Sequence, residues 1–229
     1  MTQTKAIQTL DSKAFVFDLD GTLIDTTPLV VKYWTNFANE HGLDPAQILA
    51  SSHGRRTFDT IQRWVPVLAN DKYVNEFESK LAKETEGVII LPGVMDLLSQ
   101  ISEEDWTVNT AGTHMMATTR LSQFNIKVPK EMATGDKLTK GKPDPEGYLL
   151  AAKLLHKDPK DCIVFEDADA GVRAAIAAGM KCIACLTTHT YEQLKEAGAT
   201  VIVDRLDSVH IEKQEDGSYK TIIENAYEL

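Results

Sequence analysis

The chain has 229 residues, 43% hydrophobic and 25% charged, which is globular composition and excludes a disordered polymer. Its 24 Lys and Arg stand against 34 Asp and Glu, a formal net charge of −10. A protein that coats nucleic acid or an anionic membrane needs the opposite balance, so neither partner is expected. The length allows one compact domain, or one domain carrying a smaller insert.

The N-terminus lacks the apolar core, about 7–15 residues, of a secretory signal. No apolar run reaches the roughly 18 residues of a membrane span. A cytoplasmic monomer with reduced thiols is therefore expected. The first strong element is Ala14-Phe-Val-Phe17, an apolar run that reads as a buried strand and ends abruptly in Asp18, Asp20 and Gly21. From Asp25 to Leu91 the rhythm changes. Pro28–His41, Arg56–Leu68 and Lys72–Thr85 have helical spacing, and no convincing strand precedes Val88-Ile-Ile90. Residues 25–91 are thus expected to be an all-helical insert, with 1–24 and 92–229 forming the main α/β unit.

Beyond the insert, short apolar runs alternate with helical patterns. Strands are expected at Thr107–Thr110, Cys162–Phe165, Cys182–Leu186 and Thr200–Val203. Helices are expected at Pro92–Ile101, Thr113–Phe124, Pro145–Leu155, Ala170–Ala178 and Tyr191–Ala197. Such alternation predicts a parallel sheet with right-handed crossovers. Asp216-Gly217 between β-prone runs marks a hairpin across Val209–Ile223. Cys182 and Cys185 form a C-x-x-C, but the run around them is apolar and no second Cys/His pair completes a zinc site, so buried thiols are the better reading.

Four fragments carry chemistry, each near the end of an expected strand. Asp18 and Asp20, spaced i and i+2, follow the first strand, where open parallel sheets bind ligands. Thr110-Ala111-Gly112-Thr113 offers hydroxyl and backbone N–H groups at a helix start, a geometry that suits phosphate. Lys142 lies in the turn Gly141-Lys-Pro-Asp-Pro145. Glu166-Asp167 end another buried strand, where adjacent carboxylates repel unless a cation sits beside them.

This order of motifs resembles the haloacid dehalogenase superfamily in its phosphatase branch, over nearly the whole chain. The resemblance implies a Rossmann-like core and makes the insert an α-helical cap. It implies that Asp18 is the nucleophile and Asp20 the general acid/base. It implies that Thr110, Ala111 and Lys142 hold the transferring phosphoryl group. Asp167, with Glu166, Asp18 and the backbone carbonyl of Asp20, is implied to hold Mg²⁺. Ser52-His53-Gly54-Arg55-Arg56-Thr57 and Gly141-Lys-Pro-Asp-Pro145 are similar to motifs of the yeast-type glycerol-3-phosphatases and 2-deoxyglucose-6-phosphatases. That likeness implies a small polyol or sugar phosphate as substrate, with His53, Gly54, Arg55 and Arg56 meeting it from the cap. One departure is Asp169, where these relatives usually carry proline; it places another negative charge close to the acidic pair.

Two alternatives remain at this stage. One is a sugar phosphomutase of the same superfamily, whose first motif more often reads D-G-V than the D-G-T present. The other is a non-catalytic phosphoacceptor module, which leaves Asp20 and the insert unexplained. No Walker A loop, G-x-S-x-G elbow or H-x-x-x-H pair is found.

Overall fold

A computed structural model of the chain describes residues 4–228, so residues 1–3 of the 1–24 segment and residue 229 lie outside the description. Its centre is β2 (Ala14–Phe17), flanked in parallel by β5 (Trp106–Thr110) on one side and β7 (Cys162–Glu166) on the other. Strand β6 (Ala133–Thr134) extends the sheet beyond β5. On the far side, β8 (Lys181–Cys185) and β9 (Val201–Val203) follow β7 in parallel. The hairpin strands β10 (Val209–Lys213) and β11 (Tyr219–Tyr227), with β1 (Lys5–Ser12), add an antiparallel flank. Together they form one nine-stranded sheet.

The apolar runs become central strands because both faces of the sheet are covered. Phe15 and Phe17 join one hydrophobic cluster, while their neighbours Ala14 and Val16 join the other. Phe17 stacks on Phe165 with ring centroids 4.7 Å apart. The C-x-x-C obeys the same alternation: Cys182 enters one cluster and Cys185 the other, so the two thiols face opposite sides of β8. All three cysteines are free and buried. Among the described residues, no helix is long and apolar enough to cross a membrane.

Helices α5 (Val94–Ser99), α6 (His114–Gln123), α7 (Glu146–Leu154), α8 (Asp169–Ala177) and α9 (Tyr191–Ala197) occupy the expected segments. Thr113 caps α6 by accepting the Met116 N–H, and a Thr190/Gln193 capping box starts α9. Between the short strands β3 (Ile24–Asp25) and β4 (Ile89–Ile90), which pair antiparallel, the chain forms four helices. These are α1 (Thr27–Glu40), α2 (Pro45–Ser52), α3 (Thr57–Trp64) and α4 (Asp71–Lys83). They enclose their own apolar cluster of Trp34, Phe37, Ala38, Ile48, Ile61 and Val74.

Among the described strands and α-helices, four escape the sequence reading. β1 alternates exposed and partly buried residues, and its partner β11 is some 200 residues away, so local pattern does not reveal it. β3 and β6 are each two residues long. α2, opened by the Asp44 cap and Pro45, buries only Ile48 and Ser52 and lacks a strong apolar stripe.

Candidate active site

The chain leaves β2 toward β5 and β6 on one side and, later, toward β7, β8 and β9 on the other. The strand order therefore reverses at β2, and a crevice forms outside the carboxyl ends of β2, β5 and β7. Asp18 sits there, its N–H still bonded to the Phe165 carbonyl at 3.0 Å, so the sheet itself fixes its backbone. The structure brings Lys142 and Glu166 onto this carboxylate although they are far apart in sequence. Lys142 Nζ donates to Asp18 Oδ1 and, at 2.6 Å, to Glu166 Oε1. The Glu166 carboxylate is further held by Tyr148 OH at 2.8 Å and by the Asp167 and Ala168 N–H groups at 2.9 and 3.0 Å. Gly171 packs where a Cβ would overlap that carboxylate, which requires glycine in the first turn of α8.

Asp167 follows Glu166 out of β7. Thr22 Oγ1 donates to its Oδ1 at 3.1 Å and Thr188 Oγ1 to its Oδ2. Gly21, at φ +94°, leaves room for the same carboxylate: a Cβ would overlap Asp167 Oδ2. Asp20 points from the turn after β2 and accepts from Thr26 Oγ1 at 2.8 Å.

The electrostatics follow from burial. Desolvation pushes the Asp18 carboxyl well above its ordinary value, the Glu166, Asp167 and Asp20 charges add to this, and Lys142 opposes it. Burial raises Asp20, against the Thr26 hydrogen bond. Asp167 is pushed up to about 7 by burial and by Glu166. Burial also disfavours the ionised Glu166, but Lys142 outweighs it and holds this carboxyl below its ordinary value. The Lys142 ammonium is opposed by burial yet raised by Asp18 and Glu166. One lysine thus faces three buried carboxylates whose oxygens lie within 4.8 Å of one another. A hard-oxygen donor set with excess negative charge fits a divalent cation.

Thr110 ends β5, and its Oγ1 accepts the Gly112 N–H at 3.1 Å, which folds Thr110-Ala111-Gly112 around the crevice mouth. With Asp18, Asp20 and Asp167 these three residues line a cleft of about 90 Å³. Its opposite wall comes from the helical segment. His53, Gly54 and Arg55, between α2 and α3, line the cleft. Gly54, at φ +69°, sits where a Cβ would come within 2.9 Å of Ala168 Cβ.

Two expectations change. Arg56 does not line this cleft. Its guanidinium pairs with Asp59 at 2.7 Å and donates to the carbonyls of Leu138 at 2.6 Å and Thr139 at 3.1 Å, joining the helical segment to the loop after β6. Asp169 faces away from the acidic cluster, toward His189 Nε2 at 3.5 Å and Arg173 at 3.8 Å. A cleft residue that sequence reasoning did not single out is Glu78 on α4, which is buried. Its signal was a carboxylate in the apolar stripe Val74, Leu81, Ala82.

A doubly covered sheet with an acidic pair at its switch point, and helices inserted after the first motif, defines a class of hydrolase fold. The chain belongs to the haloacid dehalogenase-like hydrolase family, whose model matches residues 12–179. It is 35% identical over 210 residues to hexitol phosphatase A of Escherichia coli (strain K12), covering 90% of this chain and 96% of that one. It is 36% identical over 214 residues to glycerol-1-phosphate phosphohydrolase 2 of Saccharomyces cerevisiae, covering 88% and 86%. The crystal structure of a hydrolase from Pseudomonas syringae superposes with a TM-score of 0.75 at 24% identity, covering 85% of this chain and 94% of that one, which shows the shared fold.

Proposed function

We propose that the protein is a Mg²⁺-dependent phosphatase of a small polyol or sugar phosphate, with residues 25–91 acting as a cap over the cleft. One observation carries this reading. A buried carboxylate, Asp18, sits at the sheet's switch point, ion-paired to Lys142 and opening into a cleft of about 90 Å³ that the helical segment walls on its far side. The names of relatives alike along most of the chain support the substrate class.

Asp18, Asp167 and the Asp20 backbone carbonyl would hold the divalent cation. Glu166 faces the same cluster, but its hydrogen bonds make it chiefly the partner that orients Lys142. Bound there, the cation would supply positive charge against the phosphate dianion and the carboxylates. Lys142 neutralises part of the same charge, and Thr110 and Ala111 present hydroxyl and backbone groups to the phosphoryl oxygens.

An Asp18 oxygen attacks phosphorus, forming an acyl phosphate while the ester P–O bond breaks. Asp20, kept protonated to higher pH by its burial and held by Thr26, gives its proton to the departing alkoxide. Its carboxylate then takes a proton from a water that attacks phosphorus and releases Asp18. The sum is ester plus water to alcohol plus phosphate.

The test is phosphate release from a panel of three- to six-carbon polyol and sugar phosphates. Release from at least one is expected. Release from none contradicts the reading, and isomerisation of a sugar phosphate without release favours a mutase.

A further inference from the structure

The catalytic cleft has a neighbour. A second cavity of about 380 Å³ lies between α3, α4 and the loop after β6, with Phe58, Asn75 and Asp136 among its walls. Three residues line both spaces: Thr57, Glu78 and Ala111. Two of them are joined, since Thr57 Oγ1 donates to Glu78 Oε1 at 2.7 Å. The other carboxylate oxygen, Oε2, accepts the Thr113 N–H at the start of α6 at 2.9 Å. This pair of contacts ties α3, α4 and the core together and forms a partition between the two spaces.

Glu78 is 3% exposed and, among the described residues, has no ion-pair partner. A carboxylate in an apolar helix stripe costs stability that an aliphatic residue would not, so its presence there needs a reason. Each of its oxygens carries two lone pairs and the contacts above use one apiece, leaving acceptor capacity directed at neither Thr57 nor Thr113. The steps assigned to Asp18, Asp20 and Lys142 make no use of it.

The cleft's size sets the consequence. A three-carbon polyol phosphate has about ten heavy atoms and a six-carbon one about sixteen, so of the two the shorter ester asks less of the 90 Å³ cleft. The neighbouring cavity would hold the remainder of a longer chain if the partition were absent.

Building on the phosphatase reading, we propose that Glu78, braced by Thr57 and the Thr113 amide, determines leaving-group length. Its carboxylate accepts hydroxyl hydrogens of a short polyol and closes off the space that a six-carbon chain would need.

The experiment compares kcat/KM for glycerol phosphate, a hexitol 6-phosphate and p-nitrophenyl phosphate in wild type, Glu78→Gln, Glu78→Ala and Thr57→Val, with circular dichroism on each. Wild type is expected to favour the three-carbon ester. Glu78→Ala is expected to shift the six-carbon to three-carbon ratio upward by about tenfold or more, and to lower the three-carbon to aryl ratio by a similar factor. Glu78→Gln keeps the partition and should preserve the length preference while lowering the polyol to aryl ratio. Thr57→Val removes only the brace, so it should move the length ratio in the same direction as Glu78→Ala but less; it decides the matter if Glu78→Ala does not fold. Equal losses on all three esters in the folded variants would make Glu78 a structural brace and overturn the inference while leaving the phosphatase reading intact. A wild type that releases phosphate from none of them overturns both.

Discussion

Lys142 decides the electrostatics of the site. Among the described residues it is the one cation paired with this cluster of three buried carboxylates, and it has direct contacts to two of them. Lys142→Met keeps the bulk of the stem but leaves Asp18 and Glu166 without a counter-charge. Urea unfolding should show a loss of about 3–5 kcal/mol, the range for removing one partner of a buried pair; an unchanged midpoint would contradict this account of the charge balance. Asp169 is a different matter. It is the first residue of α8, follows Ala168 in an extended conformation (φ −112°, ψ 143°), and points at Arg173 and His189. Proline fits a first helical position preceded by extended backbone. Asp169→Pro should therefore change stability by less than about 1 kcal/mol and leave the metal requirement unaltered. A raised metal requirement would show that the Asp169 charge matters to the cluster.

At the scale of elements, α3 and α4 meet the core through polar side chains as well as through Leu81 and Ala82, which join the cluster under the sheet. Arg56 reaches the carbonyls after β6, while Arg120 on α6 donates to the carbonyls of Leu81 at 2.7 Å and Glu84 at 2.6 Å. Arg56→Ala should cost about 1.5–3 kcal/mol in chemical unfolding, the range for a hydrogen bond to a charged group. It should lower kcat/KM for polyol and aryl phosphates by the same factor, because its guanidinium braces the structure and does not line the cleft. A selective loss on polyols would return it to the substrate. Glu78 gives α4 a pH signature. Burial raises its carboxyl above the ordinary 4.5, against the hydrogen bonds from Thr113 and Thr57. The folded state holds this proton to higher pH than the unfolded chain, so the group contributes stability below the unfolded value that is lost as pH rises through the folded one. Thermal unfolding of Glu78→Gln should accordingly gain on wild type as pH rises above about 4.5 and then level off. Parallel curves for the two proteins would contradict the shift.

Over the whole molecule, the parts legible in the sequence are those whose physics is local. Ala14–Phe17 and Cys162–Phe165 read as central strands because both sheet faces are covered, which leaves no polar position inside the run. Asp18, Thr110, Lys142 and Asp167 stood out because strand ends and turns isolate them from the core pattern. β1 stayed hidden because it pairs across nearly the full chain length. Arg56 was misplaced because spacing puts a residue on a loop without saying where its side chain goes. Glu78 was invisible as a cleft residue because a glutamate in a helix ordinarily faces water, and only the packing of α4 on α6 reverses that. The helical segment leaves and rejoins the core through the two adjacent strands β3 and β4, so it is tethered at one edge. Phosphate release should vanish when divalent cations are chelated and return with Mg²⁺, since the donor set is all hard oxygen. A full rate in excess chelator would remove the metal from the mechanism.

The most direct measurement is phosphate release by Asp18→Asn beside wild type, with circular dichroism confirming the fold of both. Asparagine keeps the side chain's shape but lacks the carboxylate oxygen that the proposed mechanism directs at phosphorus. The account predicts a folded variant whose rate on the preferred small phosphate ester falls by at least about 10³-fold. A folded Asp18→Asn that still releases phosphate at a rate close to wild type would contradict it.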